Sequence, residues 1–131
     1  MNKLLKFGVL VMTSFVLFSC GGKEKKNENT ATGEPKQLTE AELIEKGDKL
    51  FRGKGNCTSC HLADKKLIGP SIKEIVKGYD AAGADLDAFL RGKSEAIIDP
   101  IQFSMMEPNL TITKRFSDTE MKAIIAYMRS L

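Results

Sequence analysis

The stretch Cys57-Thr58-Ser59-Cys60-His61 decides the reading of this chain. C-x-x-C-H is the attachment pattern of a c-type haem. Two cysteine sulfurs at this spacing form thioethers to the two vinyl groups of one porphyrin. The next residue, His61, then stands beneath the iron as its proximal ligand. A longer gap would not reach both vinyls and still place the imidazole under the metal. His61 is the only histidine of the 131 residues, and Cys57 and Cys60 are the only cysteines beyond position 20. Two other uses of the pattern lack support. A thioredoxin-like pair wants a βαβ pattern around it, and none is visible. A zinc site wants four ligands, usually completed by a second Cys/His pair, and the chain has no second pair.

The first nineteen residues stand apart from the rest. Lys3 and Lys6 form a charged start, Phe7 to Phe18 is an apolar run, and Leu17-Phe18-Ser19-Cys20 closes it. A short apolar run ending in a small residue is a secretory signal rather than a membrane span. With a cysteine at the cleavage point it resembles a bacterial lipoprotein signal, although Phe18 is larger than usual for its place. That resemblance implies that Cys20 becomes the lipidated N-terminus of the mature protein, exported to the bacterial cell envelope and anchored to a membrane, facing the periplasm. Several acyl chains on one cysteine give stable anchoring where a single chain is marginal. With Cys20 lipidated and the other two cysteines on haem, no thiol remains for a disulfide.

Residues 1–19 carry two lysines and no acids, so their removal takes the formal charge from +3 to +1. Two ionised haem propionates would bring it to about −1. No basic stripe with interleaved aromatics marks a nucleic-acid partner. Residues 20–37 contain no large apolar side chain and read as a solvated tether. Its typical reach is roughly 20–25 Å. The folded domain is expected over 38–131.

Within that domain the periodicity is helical. Thr39 with Glu42 forms a capping box, followed by Leu43, Ile44, Leu50 and Phe51, and the helix is expected to stop at Gly53 and Gly55. A second helix is predicted over Ser71 to Lys77 from Ile72, Ile75 and Val76. A third is predicted over about Ala84 to Arg91 from Leu86, Phe89 and Leu90. Ser117 with Glu120 opens the last, where Met121, Ile124, Ile125 and Met128 make one buried stripe. No strand-like alternation stands out, so the fold class is all-α, with four to five helices around one haem. A domain of this size is small for a self-sufficient core, and a buried porphyrin supplies part of the missing apolar volume.

With one histidine, bis-histidine ligation within the chain is excluded, and methionine is the leading candidate for the second axial position. Met121 and Met128 belong to the stripe of the last helix. Met105 and Met106 lie between Pro100 and Pro108 in a stretch without helical period, expected as a proline-held loop able to present a thioether. Met106 is favoured, with Met105 as the alternative.

At this point the chain resembles a small monohaem, class I cytochrome c. Gly47 and Phe51 match that family's helix-crossing pair, with Tyr127 in the aromatic position of the terminal helix. Gly69-Pro70 matches the family's Gly-Pro. The resemblance implies that the Pro70 carbonyl accepts a hydrogen bond from His61; read alone, Gly-Pro is a turn signal. The separation of Met106 from the last helix is longer than the family usually shows. The implied cofactor is one covalent haem c, and the implied function is single-electron transfer between redox proteins of the envelope. No catalytic constellation and no small-molecule substrate are expected. Lys54, Lys65, Lys66, Lys114 and Arg115 are candidates for a basic ring that steers an acidic partner. The alternatives are a haem enzyme, a gas sensor, or an electron-entry subunit of a larger oxidase or reductase, with a displaceable sixth ligand.

Overall fold

A computed structural model of the protein describes residues 37–131. Cys20, the signal stretch and all but the last residue of the tether lie outside the described residues.

Helix α1 spans Glu40–Arg52. The Glu42 amide donates to Thr39 Oγ1 at 3.3 Å and the Thr39 amide donates to the Glu42 carboxylate at 2.8 Å, so two of the orphan donors of the first turn are satisfied reciprocally. Gly53 ends the helix, its amide bonded to the Lys49 carbonyl at 2.9 Å. Helix α2 spans Ile72–Ala82, capped by the Ser71 side chain and ended by Gly83 at φ +59°. Helix α3, Leu86–Leu90, is capped by Asp85. Then come α4, Phe103–Met106, a 3₁₀ turn, Glu107–Asn109, and α5, Leu110–Thr113, which run on without a break. Helix α6, Asp118–Ser130, carries the second capping box, Ser117 with Glu120. The described residues hold no strand beyond one antiparallel bridge between His61 and Lys66. The fold is all-α, as expected.

Two expectations are corrected. Met105 and Met106 do not lie in a plain loop: Met105 and Met106 end α4, and Pro108 stands in the first turn of the 3₁₀ segment. Proline lacks an amide proton, which costs nothing at a helix start, where that proton has no intrahelical partner. Helix α2 also runs past Lys77 to Ala82, which brings Tyr79 into the core.

The frame is the crossing of α1 and α6. Gly47 makes it possible: a Cβ there would fall 2.6 Å from the Tyr127 Cβ and closer still to the Ala123 carbonyl oxygen. The close approach stacks Phe51 on Tyr127 with ring centroids 5.3 Å apart. Met121, Ile124 and Met128 are buried from α6, as their spacing predicts. Each such side chain contributes about 1.5–3 kcal/mol on burial. Both ends of α6 are tied to other elements, Asp118 to Arg91 at 2.9 Å and Arg129 to Asp80 at 2.7 Å. No helix among the described residues is long and apolar enough to cross a membrane.

Candidate haem site

The five-residue motif follows directly from the end of α1. Gly55 returns its amide to Leu50 at 2.7 Å, and Asn56 takes a left-handed conformation at φ 50°. Asparagine tolerates that region better than most residues. The chain then enters a 3₁₀ turn, Cys57–Ser59, and the amides of Cys60 and His61 both bond back to the Cys57 carbonyl, at 3.1 and 3.0 Å. The turn brings Cys57, Cys60 and His61 to the wall of one cleft.

His61 is held from behind. Its Nδ1 lies 2.7 Å from the Pro70 carbonyl oxygen. A carbonyl only accepts, so Nδ1 carries a proton, which leaves Nε2 as the ring nitrogen available to a metal. Gly69 makes room for the ring: a Cβ there would fall 2.5 Å from the imidazole Cε1. The Gly69 amide in turn bonds the Cys60 carbonyl at 3.0 Å, which closes the loop back onto the motif.

The cleft is partly open to solvent. Its lining is mostly apolar. Tyr79, Phe89 and Phe103 form one run of rings, with centroids 5.5 and 5.7 Å apart. Met105 and Met106 also line it; Met106 is half-buried against the core, whereas Met105 is 62% exposed. Ile68 and Ile97 leave the rim apolar and partly open, 48% and 42% exposed. Of the five basic candidates, none lines the cleft. Lys54 is paired with Glu120 at 2.7 Å and lies over the Phe116 ring, and Lys66 is paired with the rim residue Asp99 at 3.4 Å.

The donor chemistry fits a covalent porphyrin. Burial pushes the Cys57 thiol up to about 11, the reverse of the depressed thiol that a redox-active C-x-x-C requires. Among the described residues no group of three or more His, Cys, Asp or Glu is placed to hold a metal ion on its own. One imidazole with a fixed tautomer, two cysteines beside it and an apolar, partly open cleft suit a flat apolar macrocycle that brings its own metal. Sequence reading missed Tyr79, Phe103 and Asp99 as lining residues. Tyr79 had a signal, since it continues the period of Ile72, Ile75 and Val76; Phe103 and Asp99 had none.

The chain belongs to the cytochrome c family, whose model matches residues 44–131. Its cofactor is one covalent haem c. It is similar to a cytochrome c-551 of Azotobacter vinelandii, 51% identical over 35 residues, covering 27% of this chain and 42% of that protein. A cytochrome c-551 of Stutzerimonas stutzeri is 33% identical over 70 residues, 51% of this chain and 64% of that protein. A cytochrome c-552 of Nitrosomonas europaea is 31% identical over 81 residues, 60% of this chain and 72% of that protein. The match therefore spans less than two thirds of the first two relatives.

Proposed function

We propose that this protein is an electron carrier, with haem c bound through Cys57 and Cys60 and the iron held by His61 and Met106. The observation that carries the reading is the single cleft that gathers the motif, the oriented His61 and the methionine pair. Haem supplies the ability to take up and release one electron. Everything else falls to the chain. Cys57 and Cys60 fix the macrocycle in place. Pro70 and Gly69 orient the His61 ring, and a hydrogen bond from the far ring nitrogen to a carbonyl also raises the basicity of the ligand. The apolar lining excludes water. The open rim at Ile68 and Ile97 leaves an edge through which a partner protein can exchange electrons.

Met106 is preferred to Met105 because it packs against the core, while Met105 faces solvent. A half-buried thioether is held in place by its neighbours, and an exposed one loses rotamer freedom on ligation. A filled sixth position favours electron transfer over substrate binding.

The remaining parts of the proposal come from the sequence. Residues 1–19 act as an export signal and 20–37 as the tether of a domain that begins near 38. Lipidation at Cys20 anchors the protein to a membrane of the bacterial envelope, facing the periplasm, where its partners are other redox proteins. One experiment tests the core of the reading: absorption spectra of the purified holoprotein, oxidised and reduced, before and after acid–acetone extraction. A low-spin spectrum with the pigment retained on the polypeptide is expected. Pigment lost to the organic phase overturns covalent attachment, and a high-spin spectrum overturns the filled sixth site.

A further inference from the structure

We propose that the Tyr79 hydroxyl donates a hydrogen bond to a propionate carboxylate of the haem and so holds that carboxylate in the cleft. The assignment rests on the reading that haem occupies this cleft, and names a contact between the cofactor and a residue outside the binding motif.

Three observations carry it. First, Tyr79 lines the cleft and is 2% exposed. Its hydroxyl is the one buried side-chain polar atom among the described residues that has no hydrogen-bond partner. Buried polar atoms are almost always paired, because the lost hydration is otherwise uncompensated. The Ile97 backbone lies close by without completing a hydrogen bond. Second, the ring is fixed. Tyr79 stands in the third turn of α2 and packs on Phe89 at 5.5 Å. The oxygen cannot swing out to solvent, so its partner has to come into the cleft.

Third, the cleft offers nothing else buried that could hold an anion. No lysine or arginine lines it. Asp99 at the rim repels a carboxylate, and the nearby cation, Lys66, is already paired with it. The neutral donors Gln102 and Asn109 line the cleft at exposed positions, where they compete with water. The imidazole proton of His61 is engaged by Pro70. Haem is apolar except for its iron and its two propionates, so the carboxylate is the ligand group that a buried phenol donor matches. A hydrogen bond to an ionised acceptor is about twice as strong as a neutral one. It also disperses negative charge beside the iron, which favours the ferrous state.

The test is proton NMR of the reduced, diamagnetic holoprotein, with potentiometry of Tyr79→Phe. In the wild type the Tyr79 hydroxyl proton is expected as a slowly exchanging resonance with NOEs to the propionate methylene protons. In Tyr79→Phe that resonance disappears, haem stays attached, and the midpoint potential at pH 8, where the carboxylate is ionised in both proteins, falls. A hydroxyl proton that exchanges at the bulk rate, or whose NOEs run only to protein atoms such as Ile97, overturns the assignment. So does an unchanged potential in the variant. The wild-type spectrum decides the matter even if the variant fails to fold. Retention of pigment through acid–acetone is read separately, so a failure of the haem reading is not confused with a failure of this contact.

Discussion

Replacing Gly47 by alanine tests whether the α1–α6 crossing frames the site. In an ordinary helix the change is favourable by about 1 kcal/mol, because glycine is a poor helix former. Here the new methyl group meets the Tyr127 Cβ at 2.6 Å and presses harder still on the Ala123 carbonyl oxygen. One of those contacts is backbone and cannot rotate away, so α1 and α6 have to separate. Overpacking of this kind costs about 3 kcal/mol at the upper end of its usual range. Separation also loosens the Phe51–Tyr127 ring contact and the 3.3 Å bond from Arg52 to the Tyr127 hydroxyl. The net destabilisation is about 2 kcal/mol after the gain in helix propensity. For a domain of this size that lowers Tm by about 8–16 °C. The assay is thermal unfolding of the haem-loaded full chain, followed by far-ultraviolet circular dichroism. A Tm equal to or above that of the wild type refutes the argument, since helix propensity would then have outweighed the contact.

Three further outcomes are expected. Met106→Ala abolishes the weak red-end thioether–iron band of the oxidised protein and lowers its potential, whereas Met105→Ala keeps the band; the reverse pattern would move the ligand to Met105, and loss in neither would remove methionine from the iron. The Lys54 ammonium, with help from the Ser117 amide, holds the Glu120 carboxyl at about 2 against an ordinary value of 4.5. Its stabilisation is therefore complete above pH 4.5 and is lost as the pH falls toward 2. Screened by solvent, it amounts to about 1 kcal/mol. The Tm gap between wild type and Glu120→Gln should narrow over that window, and a gap independent of pH would contradict it. Cys20→Ser is expected to release the protein from the membrane fraction or leave it unprocessed, so a variant that stays membrane-bound at mature size argues against lipidation.

What could be read from the sequence was what is local. Both capping boxes join residues three apart, and both helices begin where they say. Of the stripe Met121, Ile124, Ile125 and Met128, three are buried as the period requires, and Ile125, at its edge, is half-buried. His61 and Pro70 were harder, since nothing in a Gly-Pro pair points nine residues back; family resemblance implied that pairing, and the two atoms lie 2.7 Å apart. The segment from Phe103 to Thr113 was illegible for a physical reason. Its helical turns are only three or four residues long, and one contains a proline, so no stripe accumulates for a period to register. The second helix was read too short because its apolar run thins at Lys77 and Gly78, although Tyr79 continues the same face. Tyr79 is secured by Phe89 from another helix, and such non-local packing leaves no mark in either stretch alone.

The α1–α6 crossing has a consequence for the order in which the protein comes into being. Arg52 and Tyr127 touch across 75 positions of sequence, and Lys54 and Glu120 across 66. Closing so long a loop has an entropic cost that grows with the logarithm of its length, and it is met only once the final helix exists. The haem motif lies inside that loop. A nascent chain that has reached Cys57 and His61 still lacks Met128, which lines the cleft from α6. While synthesis is under way the cleft lacks this part of its wall, and the thirteen residues of α6 complete it last.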